Sequence, residues 1–157
     1  MGSLMDLIAG DPRDIALALA VDDMAGFDDP DRFTAHLSLG GGLDPTWLDL
    51  FSEAARETTG LPEPIDFLDA RREVPGTAMT SERIVEWVEP AWVLAVAAVH
   101  DEQLGALAGR WIALLEEEAG VLLPRDEKPW IRELAGQVVG FCRASSGAPS
   151  VVFAWGF

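Results

Sequence analysis

Tyrosine and asparagine are absent from this 157-residue chain, cysteine and lysine occur once each, and histidine occurs twice. These gaps remove much of the side-chain kit used for acid–base and nucleophilic catalysis. The lone Cys142 has no partner for an internal disulfide, which fits a reducing compartment. Cationic side chains are scarce: 11 Lys and Arg face 27 Asp and Glu, a formal net charge of −16. Phosphate contacts need basic stripes, and none is present, so nucleic-acid binding is not expected.

Long hydrophobic runs are also missing. The longest nearly apolar segment, Ala91 to Val99, is far too short to span a bilayer, and the N-terminus lacks the basic start and apolar core of a secretory signal. A cytoplasmic location without membrane attachment is the expectation. The Met1-Gly2-Ser3 start does not make a myristoylation signal, because Asp6 stands where Ser or Thr is required. Ten arginines against the single Lys128 suggest a GC-rich bacterial genome.

What is present is an apolar half: 49% of the residues are hydrophobic, including six Trp and seven Phe spread along the chain. Disorder requires low hydrophobicity together with high charge, so a folded acidic protein is expected. Its length suits one domain, residues 1–157, with a single core and no visible internal repeat. Folding does not require this much like charge, which destabilises a compact chain by self-repulsion. The surplus asks for a solubility reason or a basic partner.

Leu4 to Ala9 reads as a strand, and Gly10-Asp11-Pro12 as the start of a helix ending near Val21, with Asp11 as cap and Pro12 in the first turn. Asp22 to Asp31 holds five Asp with Gly26 and Pro30 and reads as a loop. Phe33 to Leu39 alternates as a strand, with Phe33, Ala35, Leu37 and Leu39 on one face and Thr34, His36 and Ser38 on the other. After Gly40-Gly41-Gly42, Asp44-Pro45 repeats the cap-plus-proline signature of a helix running to Gly60.

Ile65 to Arg72 and Glu82 to Val88 read as a hairpin joined by a Pro-Gly-Thr loop. Glu89-Pro90 starts an apolar helix ending near His100, and Asp101 caps the next, whose Leu104, Leu107, Trp111, Leu114 and Leu115 share one face. Gly105, Gly109 and Ala113 recur every four residues along it. Because glycine within a helix costs roughly 1 kcal/mol relative to Ala, close approach of another helix, the preceding one, is expected. Pro129 opens the last helix, with Ile131, Leu134, Val138 and Phe141 along one side, and Val151 to Phe157 alternates large and small residues as a strand with one face in the core. The expected fold is α+β: a largely antiparallel sheet packed with about five helices, the C-terminal strand in the core sheet. Were that strand at an edge, it could pair with a second copy and make a homo-oligomer.

The Gly-Leu-Asp-Pro start of the second helix (Gly42 to Pro45), the strand-then-proline helix around Val88 to Trp92, the Leu107 to Trp111 segment and the C-terminal apolar strand carrying Trp155 together resemble a loosely defined family of small, acidic, uncharacterised bacterial proteins. The resemblance spans most of the chain. It implies no activity, cofactor or catalytic residue.

Motifs for specific chemistry are thin. His100 lies beside Asp101 and Glu102, but consecutive residues do not share a helix face and a capping role for Asp101 suffices. His36, on the polar face of its strand, has no partner visible in the sequence. Gly40 to Gly42 precedes a helix, where backbone N–H groups can hold phosphate, yet Pro45 breaks the dinucleotide spacing and Asp44 opposes an anion. The Asp22 to Asp31 segment fails as a calcium loop because Met24 and Ala25 interrupt the ligand alternation and no glutamate closes it. No cofactor or metal motif is therefore assigned.

Two functional classes survive. The first is a non-enzymatic interaction protein, of the kind exemplified by toxin-neutralising immunity proteins, docking a basic protein through Asp and Glu. The second is a small carboxylate enzyme, using for example Asp66 and Asp69 or Glu82 and Glu86, with or without a divalent metal; a small-ligand binder with an aromatic pocket stands beside them as a third possibility. For docking, Trp92 and Trp130 follow helix-starting prolines and are the tryptophans expected to be partly exposed. The acids divide similarly. Asp11, Asp14, Asp44, Glu89, Asp101, Glu102, Asp126 and Glu127 lie at helix starts, where the dipole favours them. Asp22 and Asp23, with Asp28, Asp29 and Asp31, and the run Glu116, Glu117 and Glu118 are left over as two candidate partner-binding patches.

Overall fold

The computed structural model describes residues 4–21, 23–41, 43–73 and 83–156. Its first strand, β1 (Leu4–Gly10), ends where Asp11 turns the chain. The Asp11 carboxylate accepts the N–H groups of Arg13 (2.8 Å) and Asp14 (3.4 Å), covering donors that the first helical turn leaves unpaired. The helix α1 (Pro12–Ala20) follows, then a 3-10 turn (Met24–Asp28) and β2 (Ala35–Gly41).

Asp44 accepts the N–H of Thr46 at 2.7 Å to start α2 (Thr46–Thr59), which ends on Gly60 with φ +73°, the left-handed conformation that a Cβ resists. The short β3 (Arg71–Glu73) pairs antiparallel with β4 (Arg83–Val88). α3 (Pro90–Ala97), a second 3-10 turn (Asp101–Gln103), α4 (Leu104–Ala119), α5 (Lys128–Ser145) and β5 (Ser150–Gly156) complete the order. Arg143 of α5 fastens the end of α3: its guanidinium donates to the carbonyls of Ala97 and Val99 and to Asp101, at 2.6 Å for the last.

The strands form one antiparallel sheet in the order β2-β1-β5-β4-β3, so the fold is α+β. Alternation along the strands divides the protein into layers. Met5, Leu7, Leu39 and Phe153 face a large core shared with α2, α3, α4 and α5, whereas Ile8, Val85, Val152 and Ala154 face a smaller cluster with Ile15 and Ala18 of α1 and with Phe27 and Phe33.

Several expectations are corrected. Ile65 to Ala70 is not a strand. Asp66 accepts the N–H groups of Asp69 and Ala70 through its main-chain oxygen, and Asp49 accepts the N–H of Leu68 at 2.6 Å, so these donors are turned away from the sheet until Arg71. Phe67 is buried there while Ile65 and Leu68 are exposed. The Pro-Gly-Thr loop and Glu82 lie outside the described residues. Phe33 precedes β2 and packs in the smaller cluster, away from Leu39.

The glycine stripe of α4 does not mark a helix contact. Added Cβ atoms at Gly105 and Gly109 would meet open space, and α4 packs on α2 and α5 through Leu107, Trp111, Leu114 and Leu115, while α3 lies on α5. β5 is central, bonded to β1 on one side and β4 on the other, and both of its faces are covered. Its edges are thus occupied by β1 and β4, so β5 is not the free edge strand on which strand pairing with a second copy was expected to rest.

Candidate functional site

The acidic segment after α1 is ordered by its own carboxylates. Asp23 caps the 3-10 turn, accepting the N–H of Gly26, and pairs with Arg32 at 2.9 Å; that hydrogen bond is the main reason its carboxyl lies below the usual carboxylate range. Asp29 accepts the N–H of Asp31 at 2.9 Å. Asp22 lies outside the described residues. Much of this presumed surplus charge is therefore committed to local structure.

Asp28 has a longer reach. Its Oδ1 lies 2.9 Å from His36 Nδ1, and on the other side of the ring Asp6 Oδ1 lies 2.8 Å from Nε2. The ring is 10% exposed and rests against Phe27, with 5.5 Å between centroids. Hydrogen bonding to Asp6 raises the imidazole pKa above its ordinary value; burial opposes this, and the bond to Asp28 adds to it. With a carboxylate oxygen at hydrogen-bond distance from each ring nitrogen, neither nitrogen is open to a substrate. The two carboxylates lie on opposite sides of the ring and cannot converge on one ion. Sequence reasoning passed over this clasp, although Asp6, an acid amid the apolar run Leu4 to Ala9, was its visible signal.

Two of the carboxylates proposed for catalysis, Asp66 and Glu86, are engaged elsewhere. Asp66 pairs with Arg56 at 2.8 Å. Glu86 binds Arg71 and the indole N–H of Trp155, both at 3.0 Å, and Arg71 is stacked on Phe67 and Phe153. Burial raises the Asp49 carboxyl, and Asp66 and Asp69 nearby add to it. No group of three or more potential metal ligands occurs among the described residues. Cys142 is buried in the core, which pushes its thiol pKa up, away from a reactive thiolate.

At the α4–α5 turn the arrangement differs. Glu116 is internal in its role, accepting the N–H of Leu123 at 2.8 Å with Lys128 at 3.6 Å. Glu117, 3.7 Å from Arg110, and Glu118 face outward. Beyond them Val121 is 65% and Leu122 81% exposed, and Trp130 in the first turn of α5 is 42% exposed. Trp130 leans on Trp47 with ring centroids 6.4 Å apart. Between Glu116 and Glu133 there are six carboxylates and three cationic side chains, Arg125, Lys128 and Arg132.

Trp92, expected at the surface, is 1% exposed and is packed 4.9 Å from Phe67. It points inward, packed between Phe51 and Phe67, with its indole N–H donated to the buried Ser52 hydroxyl of α2. The two acidic patches do not merge: the 3-10 turn belongs to the α1 layer, whereas α4 lies in the layer on the opposite face.

A groove of about 540 Å³ opens where α1, β4, α3 and the α5–β5 loop meet, lined by Pro12, Trp87, Val93, Leu94, Pro149 and Val151 among others. Arg72 and Glu89 form an ion pair at its wall. Its size and apolar lining suit a small ligand.

Among the described residues no helix is long and apolar enough to cross a membrane. Comparison with family models found no match, and no curated protein and no solved structure was found to be significantly similar to this chain.

Proposed function

We propose that this is a non-enzymatic docking protein that binds a basic protein partner in a bacterial cytoplasm, as immunity-type proteins do. The observation that carries this reading is the exposed Leu122 and Trp130 at the α4–α5 turn, beside Glu117 and Glu118. An exposed aromatic with an aliphatic neighbour supplies the desolvated anchor of an interface, and a carboxylate rim supplies steering and selectivity for cations. The acids of the 3-10 turn are mostly committed to local contacts, so this face is the better docking surface.

The reading is tested with Arg- and Lys-rich peptides carrying one leucine or aromatic residue, titrated against the fluorescently labelled protein at increasing salt. Affinity is expected to fall steeply with ionic strength and to drop further in Leu122→Ser, a change at a side chain that contributes little to the core. Binding indifferent to both salt and Leu122→Ser would overturn the docking face. A partner recovered from the host would then have to contact the same face in a complex. The groove beside Trp87 supports a second reading, a binder of small apolar ligands; ligand-dependent quenching lost in Trp87→Leu would favour it.

A further inference from the structure

Four features lie outside the docking face: the Trp87 groove, the Asp49–Asp66–Asp69 carboxylates, the buried Arg71 and the Asp6–His36–Asp28 clasp. The clasp has geometry specific enough to dictate a behaviour. Its ring joins two separate elements, because Asp6 belongs to β1 and Asp28 to the 3-10 turn, with His36 between them on β2.

Both ring nitrogens lie at hydrogen-bond distance from a carboxylate oxygen. A carboxylate only accepts, so both contacts are satisfied together when each nitrogen carries a proton. A neutral ring has one N–H and one lone pair, and one of the two contacts then sets a lone pair against a carboxylate. The partners differ in how easily they can leave. The Asp6 side chain is 6% exposed, within the sheet; that of Asp28 is 75% exposed, on a five-residue turn. Water can take over the solvation of Asp28 at little cost, whereas the Asp6 carboxylate is shielded from water.

We propose that the clasp is a proton-operated latch: the doubly protonated ring pins the acidic 3-10 turn to the sheet, and loss of one proton releases the turn at Asp28. Among the described residues, the charged groups that face the ring are Asp6 from β1 and Asp28 from the turn; the residue opposite His36 on β1 is Ile8, and the turn also contributes the apolar Phe27. At its other end the turn is held by Asp23 and Arg32, an ion pair that contains no histidine. Opening therefore hinges the Asp28 end away and uncovers Phe27, which is 1% exposed in the closed state. The surface changes from acidic to apolar without any ligand.

The sign follows from linkage. His36 is held above its unfolded value, so the clasp contributes fully below the unfolded histidine range and is lost as pH rises through the folded value. The latch is thus closed in mild acid and opens on the alkaline side.

Ring 15N NMR of the intact protein, titrated with pH and compared with the same protein in urea, tests both halves of the idea. The expected result is a His36 ring protonated at both nitrogens in mild acid, with a midpoint above that in urea. Through that midpoint the backbone 15N heteronuclear NOE values of Gly26 and Asp28 should fall, while those of β1 stay constant. Asp28→Asn, at an exposed side chain, should lower the midpoint and loosen the turn in mild acid. A midpoint no higher than that in urea, or turn amides that stay rigid through the titration, would overturn the latch.

Discussion

The indole N–H of Trp92 donates a 2.9 Å hydrogen bond to the hydroxyl of Ser52, which itself donates to the carbonyl of Leu48 at 2.7 Å. Ser52 is fully buried. One hydroxyl thus satisfies the only polar atom of a tryptophan in the centre of the large core and ties α3 to α2.

Ser52→Ala leaves that indole N–H without a partner and without water. We expect a loss of about 1–3 kcal/mol, the cost of an unsatisfied buried donor. Urea denaturation should show a lower midpoint with an unchanged slope.

Glu86 is shared between Arg71 and Trp155, and the Arg71 side chain is 6% exposed. Removing the carboxylate in Glu86→Ala strands a buried guanidinium, whose Nε already has no hydrogen-bond partner. A destabilisation of about 3–5 kcal/mol is expected. Glu86→Gln, which keeps acceptors for both donors, should lose clearly less in the same unfolding assay.

Two glycines of one region should respond with opposite signs. Gly109 lies inside α4 with open space around it, so Gly109→Ala should stabilise by roughly 0.5–1 kcal/mol. Gly120 ends the same helix at φ +72°, and Gly120→Ala should cost about 1–2 kcal/mol. Thermal unfolding of the two variants against the parent decides both.

Burial chiefly, with Asp66 and Asp69 nearby, raises the Asp49 carboxyl, against the opposing pull of the Leu68 N–H and Arg71. The native state then binds this proton more tightly than the unfolded chain, so this residue subtracts stability as pH rises through the carboxylate range. Asp49→Asn, which keeps an acceptor for the Leu68 N–H, should be more stable than the parent at neutral pH and lose that advantage in acid. Unfolding midpoints measured across that range check the slope.

The sequence made the local punctuation legible. Asp11-Pro12, Asp44-Pro45 and Pro90 each mark a helix start, and Leu107, Trp111, Leu114 and Leu115 fall on the buried face their spacing implies. Such signals act over a few residues. What was misread depended on contacts between distant segments. Ile65 and Phe67 alternate like a strand, but Asp49, 19 residues before Leu68, captures the backbone there. Trp92 looked peripheral until Ser52, 40 residues earlier, was placed beneath it. His36 and Asp6 are separated by 30 residues and meet through the β1–β2 pairing, with Asp6 beside Ser38, two positions along from His36. Trp130 and Trp92 both follow a helix-starting proline, yet one is exposed and the other buried, so that local signal does not decide burial.

The position of β5 has a consequence for how the chain assembles. It is the last strand in chain order, and it is the one that joins the β2–β1 pair to the β4–β3 pair. Ser150 reaches back 140 residues to bond the carbonyl of Gly10. During synthesis the two strand pairs therefore emerge without the piece that unites them, and β1 waits with one side unpaired while α1 to α5 are made. Closure of such distant ends is slow, which leaves the growing chain dependent on its helices for early order.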